Sequence, residues 1–280
     1  MLVEIAVADA YGAGFEFVEQ EVIVAENKLI DYRAHQLSGI KGCYTDDTQM
    51  SLALAELMLK GIEWTQENIA EAFYECYKRD PVHGYAKRLQ TAFSEAENAA
   101  IFARMINSDS FGNGAMMRSV PLGYFNSEAE VIDHATIQAS LTHNHPIAID
   151  ASVCIALAAH AGLYGKATLS ELPEYLLSLG YKINSGWHGR VKAISEDTLS
   201  AVMSNLMGHN CYSTLIKNAV NFGGDTDSVA AISCGVASCY KETKKTLPEH
   251  LLKNFSKKSY GLDYLADIDS QLKSKYLADI

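Results

Sequence analysis

The sequence predicts an all-α fold, a single globular multi-helix domain over residues 1–280. Three observations lead there. Apolar residues recur at helical spacing in segment after segment; no convincing series of alternating strands interrupts them; and no fixed-period repeat or low-complexity linker divides the chain. With 280 residues, 48% of them apolar, the chain can bury a sizeable core.

Taken in order, Leu2 to Tyr11 sets Leu2, Ile5, Ala6 and Ala10 near one helical face, and Gly12-Ala13-Gly14 is expected to break that helix. Phe15-Glu16-Phe17 follows on a loop; taken alone, Glu16 reads as solvent-facing between two packed aromatics. Val22 to Lys41 is the least patterned part, a loop or short strands. Thr45 to Lys60 reads as a helix capped by Thr45, and Thr65 to Lys78 as another that opens on a capping sequence and ends before Asp80-Pro81. Tyr85 to Arg104 is helical, and Ser110 to Gly123 is a glycine-rich turn feeding an apolar segment. Glu128 to Leu141 is a helix leading into the turn Thr142-His143-Asn144-His145-Pro146, and Ile147 to Leu163 is helical again. Thr168 to Leu179, Glu196 to Met207, Tyr212 to Val220 and Val229 to Tyr240 complete the main helices, with a polar loop over Tyr181 to Gly189. Beyond Thr246 the chain turns polar and Lys-rich, then ends in short helices whose Leu262, Leu265, Ile268 and Leu272 lay a stripe on the core.

Two helix starts carry the chemistry. After the Gly223-Gly224 turn, Asp225, Thr226, Asp227 and Ser228 bring two carboxylates and two hydroxyls to the head of an apolar helix. One Asp there is ordinary capping, so this stretch alone reads as capping or as metal binding. Thr45-Asp46-Asp47-Thr48 repeats the pattern with no Lys or Arg among its residues. Brought together, such groups repel unless a cation lies between them, and oxygen-only donors suit Mg²⁺, Mn²⁺ or Ca²⁺ rather than zinc. Together the two clusters therefore favour a shared metal site. Gly112 and Gly114 fit either a phosphate-binding backbone or a plain tight turn. Arg118 fits a phosphate contact or a buried ion-pair partner. His143 fits a site role or a local hydrogen bond; its HxH pattern has no third His or Cys nearby for zinc.

Composition narrows the classes. A net charge of −11, with basic residues scattered, argues against a nucleic-acid partner. The six Cys form no CxxC pair and read as small buried residues in a reducing compartment. Met1 to Ala13 holds Glu4 and Asp9 without a basic start, unlike a secretory leader. The apolar stretch around Ala151 to Leu163 is too short to span a bilayer. A cytoplasmic protein without a membrane partner is expected.

Four segments, Asp9-Ala10-Tyr11-Gly12-Ala13-Gly14-Phe15-Glu16, Thr45-Asp46-Asp47-Thr48-Gln49-Met50, Gly112-Asn113-Gly114-Ala115-Met116-Met117-Arg118 and Gly224-Asp225-Thr226-Asp227-Ser228, resemble the ADP-ribosylglycohydrolase family in order and spacing. The turn Thr142 to Pro146 is similar to that family's HxHP motif, and the resemblance runs from about Val7 to Tyr240. It implies an all-α globule with a two-metal cleft, Mg²⁺ or Mn²⁺. It implies Thr45, Asp46, Asp47, Asp225, Asp227 and Ser228 as metal ligands, and Gly112, Asn113, Gly114, Ala115 and Met116 as a cradle for the ADP-ribose phosphates. By the same resemblance His143 lines the substrate pocket, Glu16 reaches the metals or the catalytic water from a mobile loop, and Glu16, Asp46, Asp47 or Asp227 is the general base. The substrate implied is an ADP-ribosylated protein or small molecule. Ala8 stands where the family usually has Gly, Ser228 where it usually has Thr, and the first motif lies close to Met1, which suggests a shortened lid. Two rival readings are a non-catalytic binding or structural member of the same fold and a Mg²⁺-dependent phosphohydrolase.

Overall fold

The computed structural model, which describes residues 1–244 and 246–278, is built of helices joined by loops. In chain order they are α1 (Leu2–Ala13), α2 (Gln20–Glu26), α3 (Asp46–Lys60), α4 (Gln66–Arg79) and α5 (Lys87–Glu95). Next come α6 (Ala99–Ile106), α7 (Gly114–Met117), α8 (Glu128–Thr142), α9 (Pro146–Leu163) and α10 (Leu172–Ser178). The last are α11 (Ser195–Gly208), α12 (Tyr212–Phe222), α13 (Thr226–Ala237), α14 (Glu249–Asn254) and α15 (Leu262–Tyr276). Among the described residues pairing of strand type is confined to isolated bridges, such as Val191 with Gly224. The all-α expectation holds.

The centre is a seam of small residues between α1 and α13. Every residue of α13 is buried, as is α1 from Ile5 to Ala13. Their Gly and Ala side chains let the two backbones close up. A methyl group on Gly12 would sit 2.5 Å from the Asp227 Cα, and one on Gly235 would sit 2.6 Å from Cγ1 of Ile5. This closeness sets the start of α13 beside the end of α1. Around the pair, α12 and α11 pack on α13, α3 and α15 on α1, and α9 against α8, α11 and α13. On α15, Leu265, Ile268 and Leu272 are buried as expected, while Leu262 is only partly so.

α1 ends within Gly12-Ala13-Gly14 as expected, at Ala13 with Gly14 as its C-cap, and Gly12 itself stays helical where it packs against α13. Several local expectations need correction. The start of the unpatterned stretch Val22 to Lys41 belongs to a helix, α2 (Gln20–Glu26), which buries only Ile23 and so left little periodic signal. The C-terminal part ends in a helix of 15 residues, α15. α9 has 18 residues with mean hydropathy 1.6, so by length and composition it is long enough to cross a membrane, contrary to the sequence expectation. In this fold 72% of it is buried within the protein, which makes it a core helix. Cys76, Cys154, Cys234 and Cys239 are buried, while Cys43 and Cys211 are partly exposed.

Candidate active site

The head of α3 is fixed from outside its own sequence. Thr45 is its N-cap by backbone, but the Thr45 side chain makes no capping bond. Instead Asp9, fully buried on α1, accepts from Thr45 N (2.9 Å), Thr45 Oγ1 (2.8 Å), Thr48 N (3.1 Å) and Thr48 Oγ1 (2.5 Å). A carboxylate accepting from exposed N–H groups at a helix start is favourable twice over, by hydrogen bonding and by the helix dipole. Burial nonetheless pushes Asp9 up to about 6, the four donors opposing the shift. This anchor points Asp46 and Asp47 toward α13.

The head of α13 is held by a second arrangement. Gly223 and Gly224 adopt positive φ of 71° and 81°, a region that suits glycine. The turn lets Asp225 N donate to Val191 O (3.0 Å) and Gly224 O accept from Phe17 N (2.8 Å). Thr226 Oγ1 donates back to Gly12 O at 2.7 Å. Asn113 Nδ2 donates to Asp225 Oδ2 (2.6 Å) and Thr198 Oγ1 (3.0 Å).

These placements bring Glu16, Asp46, Asp47, Asp225, Asp227 and Ser228 to one cavity of about 360 Å³, a size typical of small-molecule sites. Carboxylate oxygens of Glu16, Asp225 and Asp227 lie within 4.8 Å of one another. Burial, reinforced by neighbouring carboxylates (Asp9 above all for Asp46 and Asp47, Glu16 for Asp227), holds Asp46, Asp47 and Asp227 well above the usual range. Glu16 is pushed up to about 7, first by burial and then by Asp225 and Asp9. Asp47 Oδ1 and Asp227 Oδ1 are buried without a hydrogen-bond partner among the described residues. Orphaned buried oxygens facing like charges are costly unless a cation joins them, so this donor set fits hard divalent metal ions.

Thr45 does not line the cavity; its hydroxyl donates to Asp9. Glu16 sits on the loop after α1 with its carbonyl accepting from Gln36 Nε2 (3.2 Å) and Oε2 from His35 Nε2 (3.0 Å). Ser38 N donates to His35 Nδ1, so the His35 proton lies on Nε2 and is given to Glu16. Phe15 is packed in the core, whereas Phe17 is 45% exposed, so only one of the two flanking aromatics is buried.

The opposite wall holds Gly112, Asn113, Gly114 and His143, with Arg88 and Arg118. Ala115 and Met116 have fully buried side chains off the cavity lining. Arg118 fulfils neither sequence reading in full: it has no carboxylate partner among the described residues, and its guanidinium is spent internally. It donates to Gln138 Oε1 (2.6 Å), Gln138 O (3.0 Å) and Thr142 Oγ1 (2.7 Å) and lies 4.7 Å over the Phe73 ring. Gln138 Nε2 in turn donates to Ala115 O (3.0 Å), Ser119 Oγ and Ser152 Oγ, tying α7 to α8 and α9. Sequence reasoning gave Asp9, His35 and Gln138 no individual part. A lone Asp inside an Ala/Val-rich helix was a signal for Asp9; His35 and Gln138 gave none.

Comparison with known proteins agrees with this geometry. A profile of the ADP-ribosylglycohydrolase family matches residues 1–278. The chain is 32% identical over 186 residues to ADP-ribosylhydrolase ARH3 of Bos taurus, a match covering 62% of the chain but only 48% of the relative. It thus spans about half the length of that relative. It is 26% identical over 244 residues to the ADP-ribosyl-[dinitrogen reductase] glycohydrolase of Rhodospirillum rubrum, covering 82% of this chain and 80% of that one. A solved structure, described as an ADP-ribosylglycohydrolase-related protein complex, superposes with a TM-score of 0.73 at 20% identity over 100% of this chain and 96% of its own, which establishes the fold. A family match across nearly the whole chain, together with two acidic helix heads meeting in one cavity, leads to one conclusion: the chain belongs to the ADP-ribosylglycohydrolase family.

Proposed function

We propose that the chain is a metal-dependent hydrolase cleaving the N- or O-glycosidic bond between the anomeric ribose carbon of ADP-ribose and an acceptor on a protein or small molecule. The observation that carries the reading is the pair of orphaned buried oxygens, Asp47 Oδ1 and Asp227 Oδ1, in a cavity whose far wall is the glycine-rich Gly112–Gly114 turn and His143. The relatives' names support it. Besides the two above, ADP-ribosylarginine hydrolase Tri1 of Pseudomonas putida (strain GB-1) is 24% identical over 267 residues, covering 89% of this chain and 71% of its own.

In this reading Asp46, Asp47, Asp225, Asp227 and Ser228 would hold two divalent ions, Mg²⁺ or Mn²⁺, while Thr45, off the cavity lining and bonded to Asp9, fixes the helix head that carries Asp46 and Asp47. When bound, they would neutralise the carboxylates, orient ribose hydroxyls and water, and lower the pKa of that water. Glu16 takes the water's proton: it lines the cavity beside Asp225 and Asp227, and His35 Nε2 holds its carboxylate in place. The remaining carboxylates offset positive charge developing at the anomeric carbon. Gly112, Asn113, Gly114 and His143 hold the pyrophosphate side, while Ala115 and Met116 support the turn from the core.

The test is incubation of purified protein with arginine- and serine-linked ADP-ribosylated peptides in Mg²⁺, Mn²⁺ or EDTA. Metal-dependent release of ADP-ribose from either peptide, lost in Asp227→Ala, is expected. Release of inorganic phosphate instead would point to phosphoryl transfer. No release from any substrate, with no effect of metal on melting, would overturn the proposal.

A further inference from the structure

Beside the phosphate wall, three consecutive hydrogen-bonding groups decide where one proton sits. Arg118 Nη2 donates to Thr142 Oγ1 at 2.7 Å, and a guanidinium can only donate. Thr142 Oγ1 therefore accepts, and its own hydrogen needs an acceptor because the residue is fully buried. The remaining partner given by the structure is His143 Nδ1, at 2.7 Å. Nδ1 must then present its lone pair. The imidazole proton is left on Nε2, which has no protein partner among the described residues. That edge of the ring faces the glycine turn: a methyl group added to Gly112 would lie 3.5 Å from Nε2, and one added to Gly114 would lie 3.2 Å from it.

We propose that Arg118 and Thr142 are positioning residues that lock His143 as the neutral tautomer protonated on Nε2, giving the cavity an N–H donor aimed at a phosphate oxygen of the ligand. Identifying the ligand oxygen as phosphate rests on the ADP-ribose reading; the tautomer does not. Arg118 is suited to the task because a guanidinium has no acceptor to offer: burial draws it down only to about 9, still cationic at neutral pH. Burial, aided by Arg118 and Arg88, also holds His143 down to about 3, so the ring stays neutral. A neutral ring with a fixed donor binds an anion without competing for divalent metal through a lone pair. It also leaves His143 unable to act as a general base from its cavity-facing nitrogen.

The test is long-range proton–nitrogen NMR of ¹⁵N-histidine-labelled, ligand-free protein at neutral pH, with His143 assigned by its loss in His143→Gln. Nε2 is expected in the protonated range and Nδ1 in the unprotonated range. Thr142→Val keeps the side-chain shape but removes the hydroxyl. It should move both nitrogens toward averaged values and weaken ADP-ribose binding about tenfold, the effect of one hydrogen bond; Thr142→Ser should restore both. A wild-type protein protonated on Nδ1, or a Thr142→Val protein with unchanged nitrogens, overturns the lock. Should Thr142→Val fail to fold, the wild-type and Thr142→Ser spectra still decide the tautomer. The expected nitrogen pattern without ADP-ribose binding would uphold the lock and refute the ligand reading alone.

Discussion

Replacing Asp227 by Asn separates the two effects that a charged cluster has on stability. In metal-free protein the folded state holds Glu16, Asp46, Asp47 and Asp227 above their ordinary carboxylate values, with Glu16 near 7. A carboxyl whose folded pKa is raised contributes stability that is fully present below its unfolded value, near 4. That contribution is lost as pH rises through the folded value. Each such proton is worth about 1.4 kcal/mol per pH unit in that window. Metal-free wild type should therefore melt at falling temperatures between pH 5 and 7.5. Asp227→Asn, which has no proton to lose at that position, should fall less steeply and be the more stable chain at pH 8. Divalent metal should reverse the order. At a hundredfold excess over Kd, binding to the folded state contributes about 2.7 kcal/mol. For 280 residues the unfolding entropy is about 0.6 kcal/mol/K, so the wild-type midpoint should rise by about 4–5 °C for each ion bound. Differential scanning fluorimetry with EDTA, Mg²⁺ and Mn²⁺ at several pH values reads all of this. An Asp227→Asn chain that keeps the full metal response would refute the shared-site reasoning.

Four further substitutions probe the supports of the site. Gly12→Ala forces the α1 and α13 backbones apart and should cost about 1–3 kcal/mol in urea unfolding, with loss of metal-linked stabilisation. Asp9→Asn turns an N–H₂ toward groups that themselves donate, and should destabilise by about 3 kcal/mol while lowering metal affinity in calorimetry. His143 is held neutral, with a folded value near 3 against 6.5 unfolded, so its contribution is present above 6.5 and lost as pH falls below it. Compared with wild type, His143→Gln should remove about 2 kcal/mol of the stability loss between pH 7 and 5, measured by denaturant midpoints. His35→Ala frees the Glu16 carboxylate from its donor and should lower kcat with little change in metal affinity; unchanged turnover would show that Glu16 needs no such hold.

Much of the fold was legible because its signals were local. The capping sequence at Thr65 and the helical runs of α8, α11, α12 and α13 lie within a few residues of where the spacing put them. The acids of the site were legible for the same reason, each pair sitting at a helix head beside a glycine turn. What could not be read was long-range. Nothing near Thr45 shows that its cap is supplied by Asp9, or that Asn113 braces Asp225, because both partners arrive from other helices. The close-packing part of Gly12 was hidden because glycine marks turns and close contacts alike, and only packing tells them apart. α2 escaped because a helix burying one residue carries almost no periodicity.

The hydrogen bond from Thr226 to Gly12 joins positions 214 apart in the chain, and this separation bears on how the protein assembles. Closing so long a loop is entropically costly and slow compared with forming any single helix. The carboxylates on α3 and α13 thus converge only after most of the polypeptide has been synthesised and α1 has docked. A ribosome-bound chain stopped before Asp225 has the donors of the α3 head without those of the α13 head, and no cluster. Divalent-cation binding should consequently appear as one of the last events of refolding, a reporter of completion rather than a nucleus for it.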